Sequence, residues 1–506
     1  MRTAAHAREP LTVPLREAKA PLVIAIDIGT SGLRSFLFDV GGRPVANAIA
    51  HRDRPLRTAG DGEATVDPDE RVRAAADAID ETLASAGRRA IDIVAVATST
   101  FWHSLMGVDA RGRPTTRVLT WADTRARGAA AALRGELDPV TTHARTGCTF
   151  HASYLPAKLR YLRDSDPTAF ARTAKWMSLG EYLYFRLFPG VRAAHGMASA
   201  TGLYDQRRRA WDDPLLAHLR IRAGTLSAIS DEPVVGLRPQ FAKRWPALAN
   251  IPWVPAIGDG ACSNVGAGAL GRHDAALFLG TSGAIRVLYA TDDPPVVRGG
   301  WTYHLDARRV VAGGALSNGG NVIAWLRWAF PSVDPGTLWR ADADADGLIA
   351  LPFLAGDRSP TWNDAARAAI AGIGLATGPE AIARAMLEGV AYRFARVWRV
   401  VDQAMPGPKQ LIATGGTLLQ LPWLMQLLAD ALDRPMVMSG AGEGSARGAA
   451  LAALERVGLI SDISAVRSPL GRIFRPRAAA HARLAEGMER QRKLEEALAP
   501  LWYDPR

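Results

Sequence analysis

The sequence predicts an α/β fold built from two duplicated domains that face one cleft, and three observations carry that prediction. Residues 23–39, VIAIDIGTSGLRSFLFD, are echoed at residues 275–288 by AALFLGTSGAIRVL, so one hairpin pattern occurs twice, roughly half a chain apart. Residues 91–99, IDIVAVATS, form the continuous apolar run of a buried parallel strand. The chain has 506 residues, too many for a single core when domains average about 100 to 200 residues.

Composition narrows the class. With 48% hydrophobic and 22% charged residues, and glycine and proline spread along its length, the chain reads as a sizeable globular protein and neither a disordered nor a fibrous one. The net charge of +11 comes almost wholly from arginines scattered without a long run, a pattern of solvated faces rather than a nucleic-acid footprint, and one that suits anionic ligands. Cys148 and Cys262 are far apart and lack CxxC spacing, so no disulfide or zinc framework is expected and a reducing, cytoplasmic compartment fits. No stretch reaches the roughly 18 apolar residues of a membrane span. Residues 1–20 carry basic groups but no apolar signal-peptide core, and read as a flexible extension.

In the first hairpin, apolar runs at 23–28 and 33–38 flank Gly29, Thr30, Ser31 and Gly32. Glycine lets a backbone approach an anion, and N–H groups and two hydroxyls donate to it, so the turn suits a phosphate. Asp27, the only charge in the first strand, sits at its mouth, where a carboxylate can hold a water-ligated Mg²⁺; the alternative is a solvated turn whose backbone Asp27 bonds. A third strand follows in GGRPVANAIAHRDRP, then a helix over 67–86 that starts at Asp67 and Pro68. The strand at 91–99 runs into Thr100, Trp102 and His103, and the predicted strand VLTWADTRA supplies Trp121, Asp123 and Arg125. Side chains at such strand ends form the rim where α/β proteins bind ligands, with core aromatics as the competing interpretation of Trp102 and Trp121. Residues 127–256 are mostly helical in pattern, with an amphipathic helix at 176–188. A short strand at 253–257 leads to Asp259, which lies between Gly258 and Gly260 and is a candidate general base for a substrate hydroxyl.

Gly266, Gly268 and Gly271 match GxGxxG, but a small polar segment precedes them and a strand follows, the reverse of a dinucleotide site. The second hairpin offers Gly280, Thr281 and Ser282 as the counterpart of the first turn, and a cleft between the domains would bring both turns to one polyphosphate. A strand, a glycine turn and a helix follow in GGALSNGGNVIAWLRW, then a long helix at 380–400. LIATGGTLLQLPWLMQLLA repeats the strand-to-helix pattern around Gly415 and Gly416, a pair that suits the close approach of a flat adenosine. Residues 478–501 form a charged amphipathic surface helix.

The motifs IDIGTSGLRSFLFD, STFWHSLMGVD, TWADTRA, IGDGACSNVGAG, LGTSGAIRV, LPFLAGDRSPTWN and ATGGTLLQLPWLMQLLAD cover nearly all of residues 21–470. In this order they resemble the FGGY carbohydrate kinases, with the duplicated actin and hexokinase-like (ribonuclease H-like) fold, and WHSLMGVD, WADTRA and MASATGLYD are most similar to the gluconate kinase subgroup. The resemblance implies ATP and Mg²⁺ as cofactors and a sugar or sugar acid as partner, with no nucleic acid or membrane, and leaves a homodimer open. It implies transfer of the γ-phosphoryl group to a primary hydroxyl, D-gluconate to 6-phosphogluconate foremost, with xylulose or another ketose or polyol as the alternative. From a different class the competitor is a nucleotide-binding switch ATPase, which needs no polar sugar pocket.

Carried onto this sequence, the resemblance makes Asp259 the base and Asp27 the Mg²⁺ residue, with Gly29, Thr30 and Ser31 and then Gly280, Thr281 and Ser282 as the phosphate turns. Trp102, His103, Trp121, Asp123 and Arg125 fall in the sugar pocket, His103 and Arg125 being available to a carboxylate, and Gly320, Gly415, Gly416 and Gln420 lie near the adenosine. The implied division is an extension at 1–20, a sugar-binding domain at 21–265 carrying the first turn and the base, an ATP-binding domain at 266–475, and a helix at 476–506 packed on the second domain. Two details depart from the pattern: GLATGPEAIARAMLEG is short and lacks a polar His or Asp, and Arg447 stands where a small or apolar residue is expected.

Overall fold

The computed structural model describes residues 12–336, 338, 343–344, 346–407 and 409–502, apart from the side chains of Leu419 and Gln420. Strands β1 (Leu22–Ile28), β2 (Gly32–Asp39), β3 (Pro44–Asp53), β4 (Ile93–Thr100) and β5 (Ile257–Gly258) form a sheet in the order β5-β4-β1-β2-β3. Strands β6 (Asp274–Leu279), β7 (Gly283–Ala290), β8 (Trp301–His304), β9 (Arg309–Leu316), β10 (Gln410–Thr414), β11 (Met436–Ser439) and β12 (Leu470–Phe474) form the second, in the order β8-β9-β7-β6-β10-β11-β12. The series β11-β10-β6-β7-β9 repeats β5-β4-β1-β2-β3 in order and in direction, two parallel pairings followed by two antiparallel ones. The duplication announced by two GTSG turns therefore extends to five strands on each side.

Six helices explain how the halves are joined: α1 (Pro68–Ala86), α2 (Asp259–Ala267), α3 (Gly320–Ala329), α4 (Pro379–Ala404), α5 (Gly444–Arg456) and α6 (Ala478–Leu498). Helix α1 starts where Asp67 accepts the Glu70 N–H at 2.9 Å, and it covers one face of the first sheet. The other face is covered by α5, from the far end of the chain, against β1, β2 and β4. Every residue of β1 is buried as a result, which accounts for its unbroken apolar run. Helix α2 in turn touches β6, β7 and β10 of the second sheet. Each helix follows the fifth strand of its own repeat, and the two cross at glycine. A Cβ on Gly448 would stand 1.8 Å from the Cys262 carbonyl oxygen, and one on Gly266 would stand 1.9 Å from that of Gly444.

Several expectations need correction. DGACSN, the small polar segment before the GxGxxG match, is the first part of α2, so a division at residue 265 falls inside a helix. VLTWADTRA keeps only Val118–Leu119 as strand before turning, and the helix expected at 176–188 starts at Leu179 after the strand Lys175–Met177, where Ser178 and Glu181 form a reciprocal cap. Gly416–Gln420 and Pro422–Leu432 are separate helices, because Pro422 cannot continue the first. In the expected flexible extension, Val13 bridges to Val45 and is buried along with Ala18, so residues 12–20 dock on the sheet; residues 1–11 lie outside the described residues. Gly266 lies in the last turn of α2 and Gly268 caps it at φ +81°, so the GxGxxG match ends a helix and opens none. Helix α6 packs Leu484 and Met488 into the second core. No helix among the described residues is long and apolar enough to cross a membrane.

Candidate active site

The tips of both hairpins face one cavity of about 320 Å³ between the two sheets, where Thr30, Ser31, Thr281, Ser282 and Asp259 meet. Each tip is closed by a short backbone bond, Gly29 N–H to the Gly32 carbonyl at 2.8 Å and Gly280 N–H to the Ser282 carbonyl at 3.0 Å. The first is braced from behind by Arg71, which donates to the Thr30 carbonyl at 2.9 Å. The second is braced by the start of α3, where the Gly320 N–H reaches the Gly280 carbonyl at 2.7 Å. Gly320 and Gly415, expected near adenosine, give the second turn its room: a Cβ would stand 2.6 Å from the Gly280 oxygen and 2.2 Å from the Leu279 oxygen respectively. A Cβ on Gly416 meets nothing within 4 Å, and the Gln420 side chain lies outside the described residues.

Asp259 is the first residue of α2 and accepts its neighbour's Gly260 N–H at 2.7 Å. Its two flanking glycines are required by Trp102, whose indole lies across them: added Cβ atoms would come within 1.7 Å of the ring at Gly258 and 2.3 Å at Gly260. Burial, then the nearby charge of Asp27, push the Asp259 carboxyl up to about 7, opposed by Arg286 and the Gly260 N–H. Arg286 lines the cavity too, held by the Asn264 Oδ1 at 3.0 Å, and burial brings its guanidinium down to about 10. Asp27 is buried and bonded to Arg34 at 2.8 Å, and Arg34 continues to Glu443. Among the described residues no three His, Cys, Asp or Glu side chains form a metal cage. An ion that arrives on phosphates needs only one or two protein carboxylates, and Asp27, close enough to Asp259 for its charge to act there, is the carboxylate that would hold Mg²⁺ on those terms.

Away from Asp259 the cavity is walled by aromatic rings from both halves. Trp102 donates to the Gly196 carbonyl at 2.9 Å and meets Tyr303 edge-on at 5.1 Å; Tyr303 stacks on Trp301 at 4.2 Å and shares a 2.6 Å hydroxyl contact with Tyr154. His103, at φ +62°, is bonded through Nδ1 to the Ala200 carbonyl at 2.7 Å. Burial brings it down to about 3, so it stays neutral and cannot be the cation expected for a carboxylate. Arg125 is not that cation either. It forks onto Asp123 at 2.6 and 3.0 Å, and neither residue reaches the cavity wall, so this pair supports the fold beside Trp121. Trp121 does line the cavity, under the guanidinium of Arg358 at 5.3 Å.

Arg286, Arg358, Tyr154 and Tyr303 were not singled out in the sequence. A signal existed for Arg286, an isolated charge in a buried strand as conspicuous as Asp27, and Arg358 stands inside the motif LPFLAGDRSPTWN. Arg447, the unexpected residue of α5, is buried and donates to the carbonyls of Gly42 and Gly266 and to the Ser468 hydroxyl, at 2.9, 2.7 and 2.6 Å, which ties the β2–β3 turn to the end of α2.

A duplicated fold with two hydroxyl-bearing turns and a carboxylate at one interdomain cleft defines a phosphotransferase that handles a nucleotide and a small acceptor. Models of the FGGY family of carbohydrate kinases match the chain at residues 22–266 (N-terminal domain) and 275–455 (C-terminal domain). The chain belongs to that family and is an ATP-dependent carbohydrate kinase. It is 29% identical to the gluconokinase of Bacillus subtilis (strain 168) over 474 residues, 90% of this chain and 91% of that protein. Among solved structures it resembles a ligand-bound xylulose kinase from Lactobacillus acidophilus, with 26% identity and a TM-score of 0.88 over 94% of this chain and 98% of that one. A gluconate kinase from the same organism gives 25% identity and a TM-score of 0.85, with the same coverage of each chain.

Proposed function

We propose that the chain phosphorylates the primary hydroxyl of a linear sugar acid, with D-gluconate to 6-phosphogluconate as the reaction. The observation that carries this reading is the convergence, in one cavity, of a single carboxylate held near neutrality, the hydroxyls of two turns and two arginines. Asp259 takes the proton of the attacking hydroxyl as that oxygen bonds to the γ-phosphorus and the bond to the leaving ADP oxygen breaks. Thr30, Ser31, Thr281 and Ser282 donate to the phosphate oxygens, and Arg286 offsets the negative charge gathered beside Asp259. Mg²⁺ bound with the nucleotide would be held from Asp27 and would neutralise phosphate charge. The open space at Gly416 accommodates the adenosine, with Gly320 and Gly415 fixing the turn next to it.

The gluconokinase relative supports an acid, while the xylulose kinase structure supports a ketose as the second reading. A panel of gluconate, xylulose, ribulose, erythritol and glycerol, followed by ADP release, separates them. Gluconate is expected to give the highest kcat/KM, and preference for a neutral sugar by about tenfold or more would overturn the acid. ADP release that no sugar stimulates would point to a switch ATPase.

A further inference from the structure

The geometry points to Arg358 as the residue that anchors the substrate carboxylate, at the end of the cavity remote from Asp259. The inference rests on the sugar-acid reading and adds what selects the acid. Arg358 enters from the second domain, lies over the Trp121 ring and donates through Nη2 to the Leu316 carbonyl at 2.8 Å. Its Nε is buried and has no hydrogen-bond partner. The nearest carboxylates are committed elsewhere: Asp357 to Arg393 and Thr361, and Asp364 to His151 at 2.6 Å. A half-buried cation without an anionic partner is costly, and an incoming carboxylate removes that cost while the guanidinium offers it a planar donor edge.

Position agrees with chemistry. Trp102 packs on the glycines around Asp259 and also against Tyr303 and His103; His103 and Tyr303 both contact Tyr154. Arg358 lines the cavity next to Trp121 and Tyr154, and the charges that act on Asp259 are those of Asp27 and Arg286. A linear acid can thus present its far hydroxyl to Asp259 and its carboxylate to Arg358, with its carbon chain along the aromatic rings.

The test compares gluconate with glucitol, the neutral chain of equal length, in the wild type, Arg358→Gln and Arg358→Lys. For Arg358→Gln the KM for gluconate should rise about a hundredfold, with kcat changed far less and kcat/KM for glucitol lowered by at least tenfold less than that for gluconate. Arg358→Lys should recover part of the gluconate KM, since it restores the charge without the fork. If wild type prefers gluconate but Arg358→Gln leaves its KM unchanged, or weakens both substrates alike, the anchor is refuted and the sugar-acid reading stands. If wild type prefers neutral sugars, both fall. Should the Gln variant fail to fold, titration of the wild type with gluconate and with glucitol decides: tighter gluconate binding that weakens steeply with salt supports the anchor, and equal affinities refute it.

Discussion

Replacing Asp259 with asparagine should abolish turnover and yet make the protein more stable at pH 8. The carboxyl is held at about 7 rather than its ordinary 3.8, so in the folded chain it keeps its proton across a window where the unfolded chain has lost it. The folded state therefore binds more protons between about pH 4 and pH 7, and stability falls as pH rises through that window. Taken in full, the shift is worth about 4 kcal/mol at about 1.4 kcal/mol per pKa unit. Asp259 is only half-buried, and Arg286 loses a nearby favourable charge in the variant, so a net gain of about 1–2 kcal/mol is expected. Asparagine keeps a carbonyl oxygen for the Gly260 N–H, so the helix start is preserved. The assay is denaturant unfolding of both proteins at pH 4, 6 and 8, with the advantage of the variant expected to grow from near zero to its full value. An advantage that is constant with pH, or a variant less stable at pH 8, would refute the raised carboxylate on which the base assignment depends.

Four further outcomes follow from the same packing and electrostatics. The kcat/KM for the best substrate should fall as pH drops below about 7 with unit slope, since the base must be ionised; a profile flat to pH 5 would remove Asp259 from that role. Gly260→Ala forces a methyl group to within 2.3 Å of the Trp102 ring and should cost about 2–3 kcal/mol in a melting experiment as well as raising the sugar KM. Asp123→Asn should lower stability by about 2–3 kcal/mol through the loss of its fork with Arg125, while the sugar KM stays within about threefold of wild type; a hundredfold rise would return Asp123 to the pocket. Gly448→Ala, with a Cβ 1.8 Å from the Cys262 carbonyl, should cost about 3 kcal/mol, and hydrogen exchange should report the loss in both sheets.

What the sequence disclosed followed local physics. The two hairpins were legible because apolar runs on either side of GTSG leave one arrangement, and α1 because Asp67 and Pro68 mark its start. Helix α2 was not, because DGACSNVGA is rich in weak helix formers and becomes helical where those small side chains let α5 approach to backbone contact. The sugar side was half-legible. Trp102, His103 and Trp121 lie where strand ends placed them, but Asp123 and Arg125 satisfy each other across two residues, a closure that spacing alone does not reveal. Arg358 and Tyr303 complete the pocket from the other half of the chain, so their part in it depends on how the halves meet.

The exchange of α2 and α5 bears on what this protein can become. Because each repeat lends the helix after its fifth strand to its twin, neither is a module that recombination could cut out and transplant. A break at residue 265 would strip the first sheet of one cover and leave α5 with its small, glycine-bearing face turned to water. Drift in one repeat at the crossing is answerable to the other, so Gly266, Gly444, Gly448 and the Cys262 backbone are bound to change together or not at all. The ancient copying that made two jaws also made them inseparable.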